Sequence, residues 1–218
     1  MTLEQLLSIG VLALLDMLSP TMIGVTVYFL LRGRSKLLAS LLTYLLTVAI
    51  LYFTLGAALM LGLDALVPSF ERLMENKTVS WTVTLGGGVM FVWSFFMPAK
   101  ERTLPSAPVS TKPIALVLLG VTTFFIEVAT ALPYFAAIGI MTTAHIGSSE
   151  WLPMLALYNL LMILPALCLL TLYSLFGAWL QAPLEKIRSK LENNKSSAAS
   201  WALCIVGLIL IFNGVDYL

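Results

Sequence analysis

Charge is what this sequence has least of. Only 11% of its 218 residues are Asp, Glu, Lys or Arg, against 60% hydrophobic, and the mean hydropathy is +0.98. A soluble domain carries about a quarter of its residues charged. With less than half of that share, this chain cannot cover its surface with water-seeking groups, so a soluble globule is excluded and most of the surface must face lipid. The net charge of +1 leaves no basic excess to neutralise phosphates, which argues against a nucleic-acid partner. Histidine occurs once, at His145, with no acid-rich or cysteine-rich neighbourhood, so no metal site is expected there. Cys168 and Cys204 lie in separate apolar segments without a CxxC pair, and say nothing firm about redox compartment. Gly-rich phosphate loops and HExxH or GxSxG motifs are missing, and the loops are too short for a soluble catalytic domain. Neither an enzyme nor a cofactor is expected.

What is present is length without polarity. About 20 apolar helical residues cross a bilayer core, and six runs qualify: Leu3 to Leu31, Leu37 to Leu63, Val79 to Met97, Ile114 to Met141, Leu152 to Leu180, and Ala199 to Tyr217. Several exceed the minimum, so tilt or breaks are expected, with Pro20, Pro133 and Pro165 as break points. The first stretch, "MTLEQLLSIG", lacks a basic n-region and runs on past signal-peptide length, so it reads as a retained membrane helix. The predicted fold is an all-α integral membrane protein with six transmembrane helices, the lipid bilayer being its first partner.

The connections sort by sign. Arg32, Arg34 and Lys36, then Lys100, Arg102 and Lys112, then Lys186, Arg188, Lys190 and Lys195 fall on one side, and only Arg72 and Lys77 on the other. The positive-inside rule puts the ten in the cytoplasm and both termini outside, as in a multi-pass protein of a bacterial inner membrane. "PAKERTLPSAPVSTKP" reads as a polar linker, residues 98–113, between halves 1–97 and 114–218. "APLEKIRSKLENNK" places Leu184, Ile187 and Leu191 at helical spacing with Pro183 suited to a first turn. It reads either as a short helix on the cytoplasmic lipid surface or as a solvated loop.

Folded at the linker, the halves align. "SWTVTLGGGVMF" from Ser80 matches "SWALCIVGLILI" from Ser200, setting Gly87 on Gly207; Tyr44 falls on Tyr158, and Pro20 on Pro133. These matches suggest a duplicated three-helix unit. An odd number of helices inverts the second copy, an architecture of secondary transporters whose binding site lies near the midplane at the repeat interface. Gly86, Gly87 and Gly88 read as a close-packing surface rather than a ligand loop.

Two acids interrupt the apolar runs: Asp16, in "LLDMLSPTMIG", and Glu127, in "FFIEVATALPY". A charge at the bilayer centre costs about 2.5–3.5 kcal/mol on insertion scales, so such residues face the protein interior and are functional by default. The competing reading is that they fix helix packing with no solute involved. Pro20 cannot donate to the carbonyl of Asp16, and its ring pushes that carbonyl aside. A freed carbonyl beside an acid suits a cation, a proton carrier or an ammonium group. Pro133 likewise frees the carbonyl of Ala129. Glu127, Thr130, Ala131 and Tyr134 follow i, i+3, i+4, i+7 spacing and are expected to share one helical face, with Asn159 completing a polar centre near Pro165.

The stretches "DMLSPTMIGVTVYFLL" and "FFIEVATALPYFAAIG" resemble the paired motifs of the GAP family, the peptidoglycolipid- or sulfolipid-addressing proteins of the LysE transporter superfamily. The resemblance covers essentially the whole chain. It implies an exporter with Asp16, Pro20, Glu127, Pro133 and Tyr134 at the core of the pathway; Ser19, Thr130 and Asn159 complete the expected substrate- or ion-binding set. Family members are linked to moving cell-envelope lipids, and superfamily relatives export amino acids or cations. An electron-carrying branch uses cysteines in the first and fourth helices, which this sequence lacks. The leading expectation is therefore a secondary exporter coupled to a proton or cation, with an envelope lipid, amphiphile or small cationic solute as cargo. Its alternatives are a non-transporting helper that assembles or protects an envelope complex and, third, a membrane enzyme using the acids as acid and base. A homodimer is expected from the resemblance and the glycine surface.

Overall fold

The computed structural model of the chain describes residues 2–32, 37–74, 76–96, 100–101, 112–128, 130–144, 146–193, 195–196 and 198–216. Among these the chain is helical apart from one antiparallel pairing of two-residue strands, β1 (Lys100–Glu101) and β2 (Lys195–Ser196), with Lys100 opposite Ser196. His145, Ala129 and most of the linker fall outside the described residues.

Helix α1 (Leu3–Asp16) opens on a capping box. The Thr2 hydroxyl accepts from the Gln5 N–H at 3.3 Å, and the Gln5 side chain accepts from the Thr2 N–H at 3.0 Å, satisfying two of the donors that a helix start leaves open. After a three-residue break, α2 (Pro20–Arg32) follows at a bend of 47°. Next come α3 (Leu37–Met74) and α4 (Lys77–Phe96). Beyond the linker, α5 (Pro113–Val128) and α6 (Leu132–Thr143) form a second pair, bent by more than 40°. Helix α7 (Ser148–Phe176) runs through Pro153 and Pro165 and stops at Gly177, whose φ of +47° suits only a residue without a β-carbon. A 3-10 turn (Gly177–Leu180) leads to α8 (Gln181–Asn193), and α9 (Ala198–Asp216) ends the chain.

Among the described residues, three helical stretches are long and apolar enough to cross a membrane, Leu37–Gly62, Lys77–Phe96 and Ser148–Phe176, and the total is up to five if each bent pair is one span. Each of the six expected runs lies on a helix or helix pair. The last run contributes only the shorter apolar stretch Leu203–Phe212 within α9. The apolar side chains that would be liabilities in water point outward, Phe96 at 79% exposure and Trp179 at 88%. Outward apolar surface on this scale suits a multi-pass membrane protein.

The chain forms two compact units, each drawn from both sides of the linker. The first contains residues 1–59 and 102–194, and the second residues 60–101 and 195–218. In the first, α1 packs on α6 and α7, whereas α2 packs on α7 and α8 and touches α5 only lightly. The two pieces of the broken helix therefore share α7 but differ in their other partner, α6 for α1 and α8 for α2. The segment around Leu184 is a helix, not a loop. Leu184 is fully buried and Ile187 half-buried, so part of the apolar stripe expected to face lipid packs within the protein.

The second unit is built on α4 against α9. A β-carbon on Gly87 would come within 2.8 Å of the Gly207 carbonyl, and one on Gly207 within 2.7 Å of the Gly87 carbonyl. The two glycines paired by sequence alignment are thus the contact that lets these backbones meet. Gly86 and Gly88 face open space.

Candidate functional site

The site lies within the first unit, where both helix breaks occur. Helix α1 closes with the Met17 N–H on the Ala13 carbonyl at 3.0 Å and the Leu18 N–H on that of Leu15 at 3.3 Å. Ser19 then starts α2: its carbonyl accepts from Ile23 at 3.1 Å, and its hydroxyl from the Met22 N–H at 3.2 Å. Ser19 is an N-cap and Pro20 the first helical residue, where a missing N–H costs nothing. Pro20 therefore does not kink a continuous helix. The expectation of a carbonyl pushed aside inside a helix is corrected to a helix that stops and restarts. The Asp16 carbonyl lies among the last four of α1, which have no partner within the helix.

Glu127 reaches this junction from the next-to-last position of α5. Its Oε1 accepts hydrogen bonds from the Ser19 hydroxyl and, at 3.2 Å, from the Met22 N–H, and the Thr21 side chain also reaches the carboxylate. The start of α2 is thus capped twice, by its own Ser19 and by an acid more than a hundred residues away. An oxygen acceptor suits this place because the first N–H groups of a helix have no partner within it.

Asp16 is held differently. Its half-buried carboxylate accepts one hydrogen bond among the described residues, from the Tyr158 hydroxyl at 3.3 Å. Asp16 and Glu127 are near enough to act on each other electrostatically. Tyr158 belongs to a run of aromatic side chains. Its ring lies 5.5 Å from that of Tyr134, which lies 5.2 Å from Tyr52, which in turn lies 5.1 Å from Phe124. The Tyr134 hydroxyl donates to the Tyr52 carbonyl, and the Tyr44 hydroxyl to Thr123 at 3.3 Å. Gly56 leaves room for this packing, since a β-carbon there would run into the Tyr134 hydroxyl and come within 2.7 Å of Leu155.

The other expected site residues divide. Asn159 is buried beside the Tyr134 phenol. Its Nδ2 donates to the Leu155 carbonyl at 2.8 Å, and its Oδ1 has no hydrogen-bond partner among the described residues. Thr130 is turned to local use: its N–H and hydroxyl both donate to the Glu127 carbonyl, at 2.9 and 3.0 Å. Pro133 is the second residue of α6, so it too stands at a helix start. The single helical face expected for Glu127, Thr130, Ala131 and Tyr134 does not exist, because α5 ends at Val128 and α6 begins at Leu132. The expectation for the Ala129 carbonyl falls outside the described residues.

The site thus joins two unlike carboxylates, one tied by several donors and one by a single long bond, at the junction of two interrupted helices and against a wall of phenols. Reasoning from sequence missed Tyr52, Gly56 and the role of Tyr158 at Asp16. No curated protein and no solved structure matches the chain. A family model described as "Sap, sulfolipid-1-addressing protein" does match, over residues 9–216, a span that contains both helix breaks and every residue of this site. The chain belongs to the sulfolipid-1-addressing protein family.

Proposed function

We propose that the protein is a secondary transporter that exports an envelope lipid or related amphiphile, driven by a proton or cation held at Asp16. The observation that carries this reading is the state of the Asp16 carboxylate: within an apolar run, at the end of a half-helix, with one hydrogen bond of 3.3 Å among the described residues. A carboxylate so loosely held can exchange a small cation without dismantling the fold, and an ionisable group in a membrane segment is functional by default. The family's name points to envelope lipid as cargo. A sulfo headgroup is anionic and would be repelled by a carboxylate, so Asp16 serves the coupling ion and the lipid needs other contacts.

Two further features support a transporter over a passive helper. Each sequence half contributes one interrupted helix to the site, the element with which transporters build midplane sites. The third helices of the halves meet at Gly87 and Gly207, the pair that a duplicated, inverted three-helix unit relates. On this reading the chain has six spans and belongs to the LysE superfamily. It sits in a bacterial inner membrane with its basic loops in the cytoplasm and both termini outside.

Reconstituted liposomes test the proposal. With wild-type protein, a sulfated glycolipid should drive a change of internal pH, or of cation content. Asp16→Asn should lose that flux while keeping its fold, and Tyr158→Phe should reduce it. A folded wild type that moves neither proton nor cation with any amphiphile, together with an Asp16→Asn variant active in cells, would favour the helper role.

A further inference from the structure

Both acids sit at one junction, yet their hydrogen bonds give them different work. We infer that Glu127 is a positioning residue: it acts as an oxygen acceptor that ties the start of α2 to the end of α5, and its charge is dispensable. The inference rests on the transport reading above only for what is being positioned, namely the break beside Asp16.

The geometry is specific. Two of the carboxylate's three donors, the Ser19 hydroxyl and the Met22 N–H at 3.2 Å, end on the same atom, Oε1, and the third is the Thr21 side chain. The Ser19 hydroxyl is thereby used in both directions, accepting from Met22 at 3.2 Å and donating to Glu127. One oxygen of a neutral amide can make the same two bonds. The second oxygen is not required by either. The tie matters because α2 and α5 otherwise touch only lightly, α2 being packed on α7 and α8. Glu127 therefore supplies a polar link between two elements that side-chain packing alone would hold weakly. Its backbone is fixed in turn, because the Glu127 carbonyl takes two bonds from Thr130, at 2.9 and 3.0 Å. The pieces form a clasp: Thr130 sets Glu127, Glu127 and Ser19 set Met22, and Met22 fixes where α2 begins, four residues after Asp16.

Full-length Glu127→Gln, Glu127→Ala, Ser19→Ala and Asp16→Asn proteins, each in detergent and in liposomes, separate the possibilities. Glu127→Gln should melt close to wild type and keep most of a flux driven by a sulfated glycolipid. Glu127→Ala should melt lower by about 2–4 °C, as expected for a lost cap in a chain of this length, and lose most of the flux. Ser19→Ala should lower the melting temperature too, and the Ser19→Ala, Glu127→Ala double variant by less than the sum of the two because they share one clasp; Ser19→Ala alone remains informative if Glu127→Ala does not fold. Asp16→Asn should melt near wild type and lose the flux. A Glu127→Gln protein that melts as wild type but loses flux as Asp16→Asn does would overturn the inference, since the charge would then be what counts. So would a Glu127→Ala protein as stable as wild type. If wild type itself carries no flux, the transport reading fails by itself and the melting order decides the clasp: Gln above Ala upholds it, and equal values overturn it.

Discussion

Gly56 shows how narrowly single positions are set. The Tyr134 hydroxyl fills the space where a side chain at residue 56 would begin, and Leu155 closes the other side at 2.7 Å. Gly56→Ala should displace the phenol from the Tyr52 carbonyl and destabilise the protein by about 1–3 kcal/mol, the usual cost of overpacking. Thermal melts followed by tyrosine fluorescence measure both effects, and an unchanged melt would mean that the phenol moves freely. Nothing in the sequence marks this position, because the crowding comes from Tyr134 and Leu155, far along the chain. Asp16 and Glu127, by contrast, were legible as charges in apolar runs, an anomaly visible in one dimension. Their partners were not. Tyr158 appeared in sequence only as the counterpart of Tyr44, and its bond to Asp16 at 3.3 Å depends on how α7 lies against α1.

At the scale of elements, the six apolar runs were readable from length and hydropathy alone, and each holds helix. Of the breaks expected at Pro20, Pro133 and Pro165, the first two occur at helix starts and the third does not, since α7 runs through Pro165; what escaped was how the break at Pro20 is built. Ser19 before Pro20 is the sequence pattern of an N-cap followed by a first helical residue, so the run contains a stop and a restart. The spacing argument for Glu127, Thr130, Ala131 and Tyr134 failed for the same reason, because a helical face requires an unbroken helix. Between α4 and α9 the glycine run behaves as expected, but through one glycine only. Gly87→Ala should force the helices apart and lower the melting temperature, since its β-carbon would meet backbone at 2.8 Å. Gly86→Ala, with no atom within 4 Å, should be neutral or stabilising by about 0.5–1 kcal/mol, the helix advantage of alanine over glycine. Melting the two variants in parallel checks the pair, and equal destabilisation would place the contact elsewhere.

For the whole molecule, the sign of the loops makes a sharp prediction. In a background carrying Cys168→Ser and Cys204→Ser, a membrane-impermeant thiol reagent added to intact cells should label Lys77→Cys and leave Lys186→Cys unlabelled until the cells are opened. The reverse pattern would turn the topology over. The two helix breaks carry a further consequence. The start of α2 is closed by Ser19 and Glu127, whereas α6 begins at Leu132 behind an N-cap, Ala131, that makes no side-chain hydrogen bond. A protein that alternates between two packings by exchanging the roles of its halves is thus built from unequal halves. If the clasp is shut in one packing and open in the other, a cap contributing about 1–2 kcal/mol tilts their populations about 5–30-fold. On the transport reading proposed above, such a machine would have a resting side: it would idle with one face shut, and the coupling ion's task would be to lift it out of that preferred pose.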